Sequence, residues 1–234
     1  MRVTVCELSD APDAFAREWE QLVAHVKAES SQLVLLPEMP FCSWFAVTDQ
    51  FNAAVWHEAV ATHDAWLERL MELAPAVVLG SRPVNKAGRR LNQGFVWDQT
   101  GGYRAAHLKY YLPNEDGFWE SSWYERGDGK FIPISCGGAR IGFQICTDLW
   151  FMEHARAYGR VGVHMIVNPR ATARPTLDKF REATLTVPVV SIKFSFHYSA
   201  IVARGWTCRS RRCRGVLSVD ERHHLAHTDR DAPY

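Results

Sequence analysis

The chain has 234 residues, of which 47% are apolar, 23% charged and 12% aromatic, and its formal charge is +1. That balance excludes a disordered or collagen-like chain and lacks the basic excess of a nucleic-acid-binding surface. Six cysteines are too sparse for a disulfide scaffold. The first apolar run is broken by Arg2 and Glu7, unlike a secretory leader, and the longest mostly apolar stretch, 187–203, carries Lys193 and His197. The expectation is therefore a cytoplasmic chain with free thiols, no membrane span and no nucleic-acid partner.

Residues 2–8 read as a strand, with Val3 and Val5 on one face. Ser9, Asp10 and Pro12 signal a helix start, and Phe15, Trp19, Leu22, Val23 and Val26 recur at helical spacing as one buried stripe. Leu33-Val34-Leu35-Leu36 is a second strand, apolar throughout, which Pro37 ends. A long helix is predicted over 49–73, stopped by Pro75, and a strand over 76–80. Strands over 91–97 and 103–108 flank Gln99-Thr100-Gly101-Gly102 as a hairpin. A strand over 139–145 leads into a helix over 151–158, and 163–167 is a strand again. This alternation predicts α/β layers, with helices covering a mixed sheet. After residue 200 the character changes: 204–214 carries five arginines and two cysteines, and 220–231 is dense in histidine and charge.

Three polar residues stand where apolar strands end: Glu38 after Leu36-Pro37, Lys109 after 103–108, and Cys146 after 139–145. Strand ends along one edge are where α/β proteins collect catalytic groups. A carboxylate, an ammonium and a thiol meeting there supply a base, a charge stabiliser and a nucleophile. A thiol with a pKa of about 8.5 is mostly protonated at neutral pH, so it needs a base or a favourable field. Glu38 can take that proton and return it to a leaving amine. Lys109 can hold a developing oxyanion, and the helix start after Cys146 adds backbone N–H groups that favour negative charge.

The segments Leu33-Val34-Leu35-Leu36-Pro37-Glu38, His107-Leu108-Lys109 and Gly142-Phe143-Gln144-Ile145-Cys146-Thr147-Asp148 resemble the nitrilase, or carbon–nitrogen hydrolase, superfamily. That family's pattern is a strand ending in Pro-Glu, a later Lys, then Gly-x-x-Ile-Cys-x-Asp. It also carries a second glutamate seven residues before a Gly-Asp pair. Glu120, ahead of Gly127-Asp128, takes that place in preference to Glu115 or Glu125. The resemblance covers residues 1 to about 179. It implies one domain with a four-layer α-β-β-α sandwich, assembled as a homodimer or higher homo-oligomer. It also implies hydrolysis or acyl transfer at a non-peptide C–N bond without metal or organic cofactor. The implied roles are nucleophile for Cys146, base for Glu38, oxyanion partner for Lys109, and orienting carboxylate for Glu120.

Thr147-Asp148 after the nucleophile, in place of the Trp-Glu of nitrile-cleaving members, resembles the amidase and carbamoylase branches, whose substrates are small amides or N-carbamoyl compounds. Trp44, Phe45, Trp119, Trp123 and Trp150 lie near the motifs as candidate pocket walls or as plain core. Arg170 is a candidate contact for a substrate carboxylate or a surface arginine. From about residue 181 the chain departs from the family pattern, although Gly215-Val216-Leu217 resembles its last turn. Two readings from other classes stand beside the enzyme. One is a zinc site of Cys208, Cys213, His223, His224 and His227. The other is a catalytically impaired relative that binds a partner through the basic 204–214 stretch. Nitrile hydrolysis is a third alternative.

Overall fold

The computed structural model describes residues 1–171 in full and, beyond them, the backbone of the strands at 190–191, 200–203, 207–213 and 216–220. The strand Val3–Cys6 (β1) is followed by helix Pro12–Ala28 (α1), strand Leu33–Glu38 (β2), helix Ala53–Leu67 (α2) and strand Val77–Lys86 (β3). Arg89–Asp98 (β4) and Gly102–Leu108 (β5) form the predicted hairpin. The one-turn helix Glu120–Trp123 (α3), strands Ile134–Cys136 (β6) and Ala139–Phe143 (β7), helix Met152–Arg160 (α4) and strand Met165–Asn168 (β8) complete the fully described part. Val190–Ser191 (β9), Ala200–Ala203 (β10), Thr207–Cys213 (β11) and Val216–Asp220 (β12) follow.

The strands make two sheets, of order β11-β12-β1-β2-β3-β4-β5 and β6-β7-β8-β10-β9. The side-chain period of two explains how they stack. Val3, Val5, Leu33, Leu35, Val77 and Leu79 point from the first sheet into one core, where they meet Ile141, Phe143, Met165 and Val167 of the second. The intervening Val34, Leu36 and Val78 point the other way, onto Phe15, Trp19, Leu22 and Val26 of α1. On the far side, Ala155 and Tyr158 of α4 cover Ile166. The layers are therefore α-β-β-α. A strand that is apolar on both faces needs a partner on each, and Leu33-Val34-Leu35-Leu36 has a sheet on one side and a helix on the other.

Several boundaries differ from the sequence reading for local reasons. The helix expected over 49–73 starts at Ala53, where the Asn52 side chain accepts the N–H groups of Ala54 and Val55. It tightens into a 3-10 segment, Glu68–Leu73, before Pro75. The strand expected to stop at residue 80 runs on to Lys86. Its far half pairs only with β4, through a tight turn in which Ala87 and Gly88 both take positive φ, 51° and 75°. The strand expected over 163–167 is Met165–Asn168. Val216 and Leu217 open β12, antiparallel to β1, and residues 207–213 of the arginine-rich stretch supply β11 beside it; Gly215 lies outside the described residues. Of the candidate zinc ligands, Cys208 and Cys213 have their backbone in β11, while their side chains, like the other side chains of 204–214, and all of His223, His224 and His227 lie outside the described residues. No helix among the described residues is long and apolar enough to cross a membrane.

Candidate active site

Glu38 is presented by an irregularity in the first sheet. β2 and β3 pair in step from Leu33↔Val77 to Leu35↔Leu79, then slip by one residue so that Glu38 faces Ser81. Pro37 sits in the slip. It has no N–H for the ladder, and a bulge is one of the few places where a sheet interior accepts it. The strand therefore does not end at Pro37 as the sequence suggested but continues through Glu38. The next residue, Met39, turns away with φ 46°, and its N–H donates to the Ser81 carbonyl at 3.2 Å.

Lys109 leaves β5 just past a second bulge, between Gly94 and Phe95 of the partner strand. Its backbone is gripped on both sides: the N–H donates to Asn92 O at 2.9 Å, and the carbonyl accepts from Gly127 N at 2.8 Å. A Cβ at Gly127 would lie 2.4 Å from the Leu108 carbonyl oxygen, so only glycine lets the two backbones approach this closely. Gly127→Ala is expected to cost about 2 kcal/mol through forced backbone displacement. Its thermal melting point should fall by about 4–8 °C; unchanged melting would mean that the loop accommodates the methyl.

β7 ends at Phe143, two residues short of the strand expected over 139–145, and Cys146 opens a 3-10 turn, Cys146–Trp150, three residues after it. A 3-10 turn thus stands where a helix start was expected, and α4 begins only at Met152. The φ of Cys146 is 47°, a conformation that a residue with a side chain holds only when its surroundings enforce it. The enforcement is visible. Cys146 N–H donates to Pro169 O at 2.9 Å, and Asn168 Nδ2, from the end of β8, donates to the carbonyls of Gln144 and, at 3.1 Å, Cys146. Sγ points toward Ala171 O, 3.7 Å away.

These elements bring together Glu38, Lys109, Glu120 and Cys146, which are 1%, 0%, 0% and 2% exposed. Lys109 Nζ donates to Glu38 Oε1 at 2.9 Å and to Glu120 Oε2 at 2.5 Å. Acceptor atoms of Glu38, Glu120 and Cys146 lie within 4.8 Å of one another. This donor set has the chemistry to hold a cation, and the Lys109 ammonium already sits against both of its carboxylates. Glu38 is held by two further donors, Asn92 Nδ2 at 2.7 Å and Ala171 N at 3.1 Å. Of the three glutamates weighed for the second carboxylate, Glu115 and Glu125 are exposed and only Glu120 is buried.

Burial disfavours the Lys109 ammonium, but Glu120, Glu38 and Cys146 outweigh it and hold its pKa above the ordinary lysine value. Burial pushes the Glu120 carboxyl up, with Lys109 opposing and Glu38 adding to the rise. The Cys146 thiol is raised well above the usual range, by burial first and by Glu38 against the pull of Lys109. The field of the turn after Cys146 does not leave a resting thiolate. Cys146 rests as a thiol beside the Glu38 carboxyl, and such a thiol becomes reactive only as its proton leaves.

The carbon–nitrogen hydrolase family model matches residues 2–191. The chain belongs to this family. It is 26% identical over 188 residues to the chloroplastic omega-amidase of Arabidopsis thaliana, covering 72% of this chain and 48% of that protein. It is 24% identical over 163 residues to the N-carbamoylputrescine amidase of the same plant, covering 68% and 54%. The chain thus spans about half the length of these curated relatives. Its fold matches a mutant of the amidase from Nesterenkonia sp. AN1, which shows covalent addition of the acetamide moiety of fluoroacetamide at its active-site cysteine. The TM-score is 0.69 at 17% identity, over 94% of this chain and 89% of that one.

Within this member of the carbon–nitrogen hydrolase family the candidate binding residues separate. Arg170 is not a surface arginine: it is 3% exposed and immediately precedes Ala171, whose N–H holds Glu38. Trp44 is half-buried, donates from Nε1 to Gly117 O at 3.0 Å, and lines a small, solvent-open cleft with Glu38, Met39 and Cys42. Trp119 is half-buried and directly precedes Glu120, its N–H donating to Ala46 O at 2.8 Å. Trp123 and Phe45 are core, with ring centroids 5.0 Å apart. Trp150 is 37% exposed at the far end of the 3-10 turn.

Sequence reasoning passed over Asn92 and Tyr124. Asn92 stands beside Gln93 in β4, and a polar pair inside a buried strand was its only signal. Tyr124 is fully buried, its phenol raised well above the ordinary value by burial and by Glu120 and Glu38, so it stays protonated beside the carboxylates.

Proposed function

We propose that the chain hydrolyses non-peptide C–N bonds, of an amide or an N-carbamoyl compound, through a thioester on Cys146. The observation that carries this reading is the single buried cluster in which Cys146, Glu38 and Lys109 come together with Glu120. Glu38 takes the thiol proton as Cys146 Sγ attacks the carbonyl carbon, forming the C–S bond and an oxyanion. Lys109 and the backbone N–H of Thr147 stabilise that oxyanion, a contribution of about 3–4 kcal/mol for comparable donors. The oxyanion collapses, the C–N bond breaks, and Glu38 returns its proton to the departing ammonia or amine. Water, deprotonated by Glu38, then attacks the thioester; the C–S bond breaks and Cys146 regains its proton. Glu120 holds the Lys109 ammonium in place.

The printed names of the relatives, an omega-amidase and an N-carbamoylputrescine amidase, support the substrate class. So does the cysteine adduct in the Nesterenkonia amidase. We assign Arg170 to a substrate carboxylate, and Trp44, Trp119 and Trp150 to the walls of the entrance. The family resemblance adds a homodimer or higher homo-oligomer to this reading, and the sequence pattern a cytoplasmic location. The test is ammonia release from short-chain amides, N-carbamoyl amino acids and nitriles. Amide or N-carbamoyl turnover that survives a strong chelator is the expected result. Turnover of nitriles alone, or of none of the three, overturns the proposal, and zinc-restored activity after chelation redirects it to a metal mechanism.

A further inference from the structure

Asp148, the acidic residue of the Cys146-Thr147-Asp148 stretch, has no part in the mechanism above. It is fully buried, and its two oxygens accept four hydrogen bonds. Oδ1 takes the backbone N–H groups of Tyr110 at 3.2 Å and Tyr111 at 3.0 Å. Oδ2 takes the Ile145 N–H at 3.0 Å and faces His107 Nε2 at 3.0 Å. Tyr110 and Tyr111 directly follow Lys109, His107 lies two residues before it, and Ile145 directly precedes Cys146. One carboxylate therefore ties the chain on both sides of Lys109 to the chain that presents the thiol. β5 and β7, which deliver these two residues, belong to different sheets, so no strand ladder sets their spacing. A second strap runs alongside, from Thr147 Oγ1 to the Tyr111 carbonyl at 2.5 Å.

We infer that Asp148 is a positioning residue that sets the separation of the Lys109 ammonium and the Cys146 thiol, with His107 as its side-chain donor. The inference rests on the proposed roles of Cys146 and Lys109. The chemistry of the position is restrictive. All four partners present donors, and a carboxylate accepts on both arms, whereas an amide turns its NH₂ against backbone N–H groups whichever way it is flipped. Misplacing reacting groups by about 1 Å costs on the order of 100-fold in rate even when the change lies outside the chemistry.

The experiment compares the full-length wild type, Asp148→Asn, His107→Leu and His107→Gln for kcat and KM on an amide that the wild type hydrolyses. Cys146→Ala serves as the blank, and near-ultraviolet circular dichroism as the folding control. Asp148→Asn is expected to lower kcat by about 100-fold while KM moves by less than about threefold, because substrate binding groups stay in place. His107→Leu removes the donor to Oδ2 and should lower kcat by about tenfold, and His107→Gln, whose amide can donate there, should recover most of that loss. A folded Asp148→Asn with wild-type kcat overturns the inference. If Asp148→Asn does not fold, equal kcat for the two His107 variants overturns it instead. Absence of Cys146-dependent turnover in the wild type sinks the parent reading with it, whereas Cys146-dependent turnover that Asp148→Asn retains in full sinks this inference alone.

Discussion

Cys146→Ala is expected to abolish amide turnover, lowering kcat by at least ~10³, with almost no change in melting temperature. The thiol is 2% exposed and its approach to Ala171 O is long, 3.7 Å, so removing a single sulfur takes little packing away. The function lost is the only nucleophile in the cluster. Glu38→Gln separates the two halves of the chemistry. An amide keeps the shape of the carboxylate and still accepts from Lys109 on one arm, but it cannot move a proton from thiol to leaving group. Its kcat should fall by a comparable ~10³. During wild-type turnover of a slow amide, intact-protein mass spectrometry should find an adduct equal in mass to the acyl group on the peptide containing Cys146. Normal turnover by Cys146→Ala would end the mechanism.

Lys109→Met is expected to damage both stability and catalysis. The methionine fills most of the lysine volume but removes the charge shared by two fully buried carboxylates, 2.9 and 2.5 Å away. Breaking a buried pair on one side costs about 3–5 kcal/mol, because the remaining charges are left unpaired. For a chain of this length that is a fall in melting temperature of about 10 °C at neutral pH. The loss should depend on pH in a definite direction. Burial already raises Glu120, with Lys109 opposing the rise, so without the ammonium this carboxyl stands further above its unfolded value. Folded protein then binds more protons than unfolded protein between the ordinary glutamate pKa and the raised one. Stability of the variant therefore falls as pH rises through that window, and recovers on acidification toward about pH 4–5. In the wild type Lys109 acts at the other end. Its raised pKa means that its contribution is complete below the ordinary lysine value and is lost as pH climbs through the folded one. Melting curves of wild type and variant at several pH values read both trends; a variant equally destabilised at every pH would contradict the ion-pair account. Lost charge at the oxyanion should also reduce kcat by about 10²–10³.

Much of this was legible along the chain because it depends on neighbours in sequence. The hairpin of β4 and β5 follows from Thr100-Gly101-Gly102 between apolar runs, and α1 follows from Phe15, Trp19, Leu22 and Val26 at helical spacing. The order Pro37-Glu38, Lys109, Cys146-Thr147-Asp148 identified a family pattern. The turns that present those residues were less legible. Pro37 was read as a strand stop, because a missing donor normally ends a ladder, and only the slip against β3 shows the strand continuing to Glu38. Cys146 looked like a residue before a helix, and its left-handed φ depends on Asn168 and Pro169, more than twenty residues away.

The chain by itself determined which residue types were available for C–N chemistry and the local elements that carry them, since apolar period, turn residues and motif spacing are properties of short segments. Tertiary structure alone decided that Arg170 is buried, and that Asn92 and Asp148 grip the Glu38 and Cys146 segments. The physical reason is common to all of these. A buried charge is tolerated only where partners from distant segments satisfy it, and those partners meet across two stacked sheets whose spacing no stretch of sequence contains.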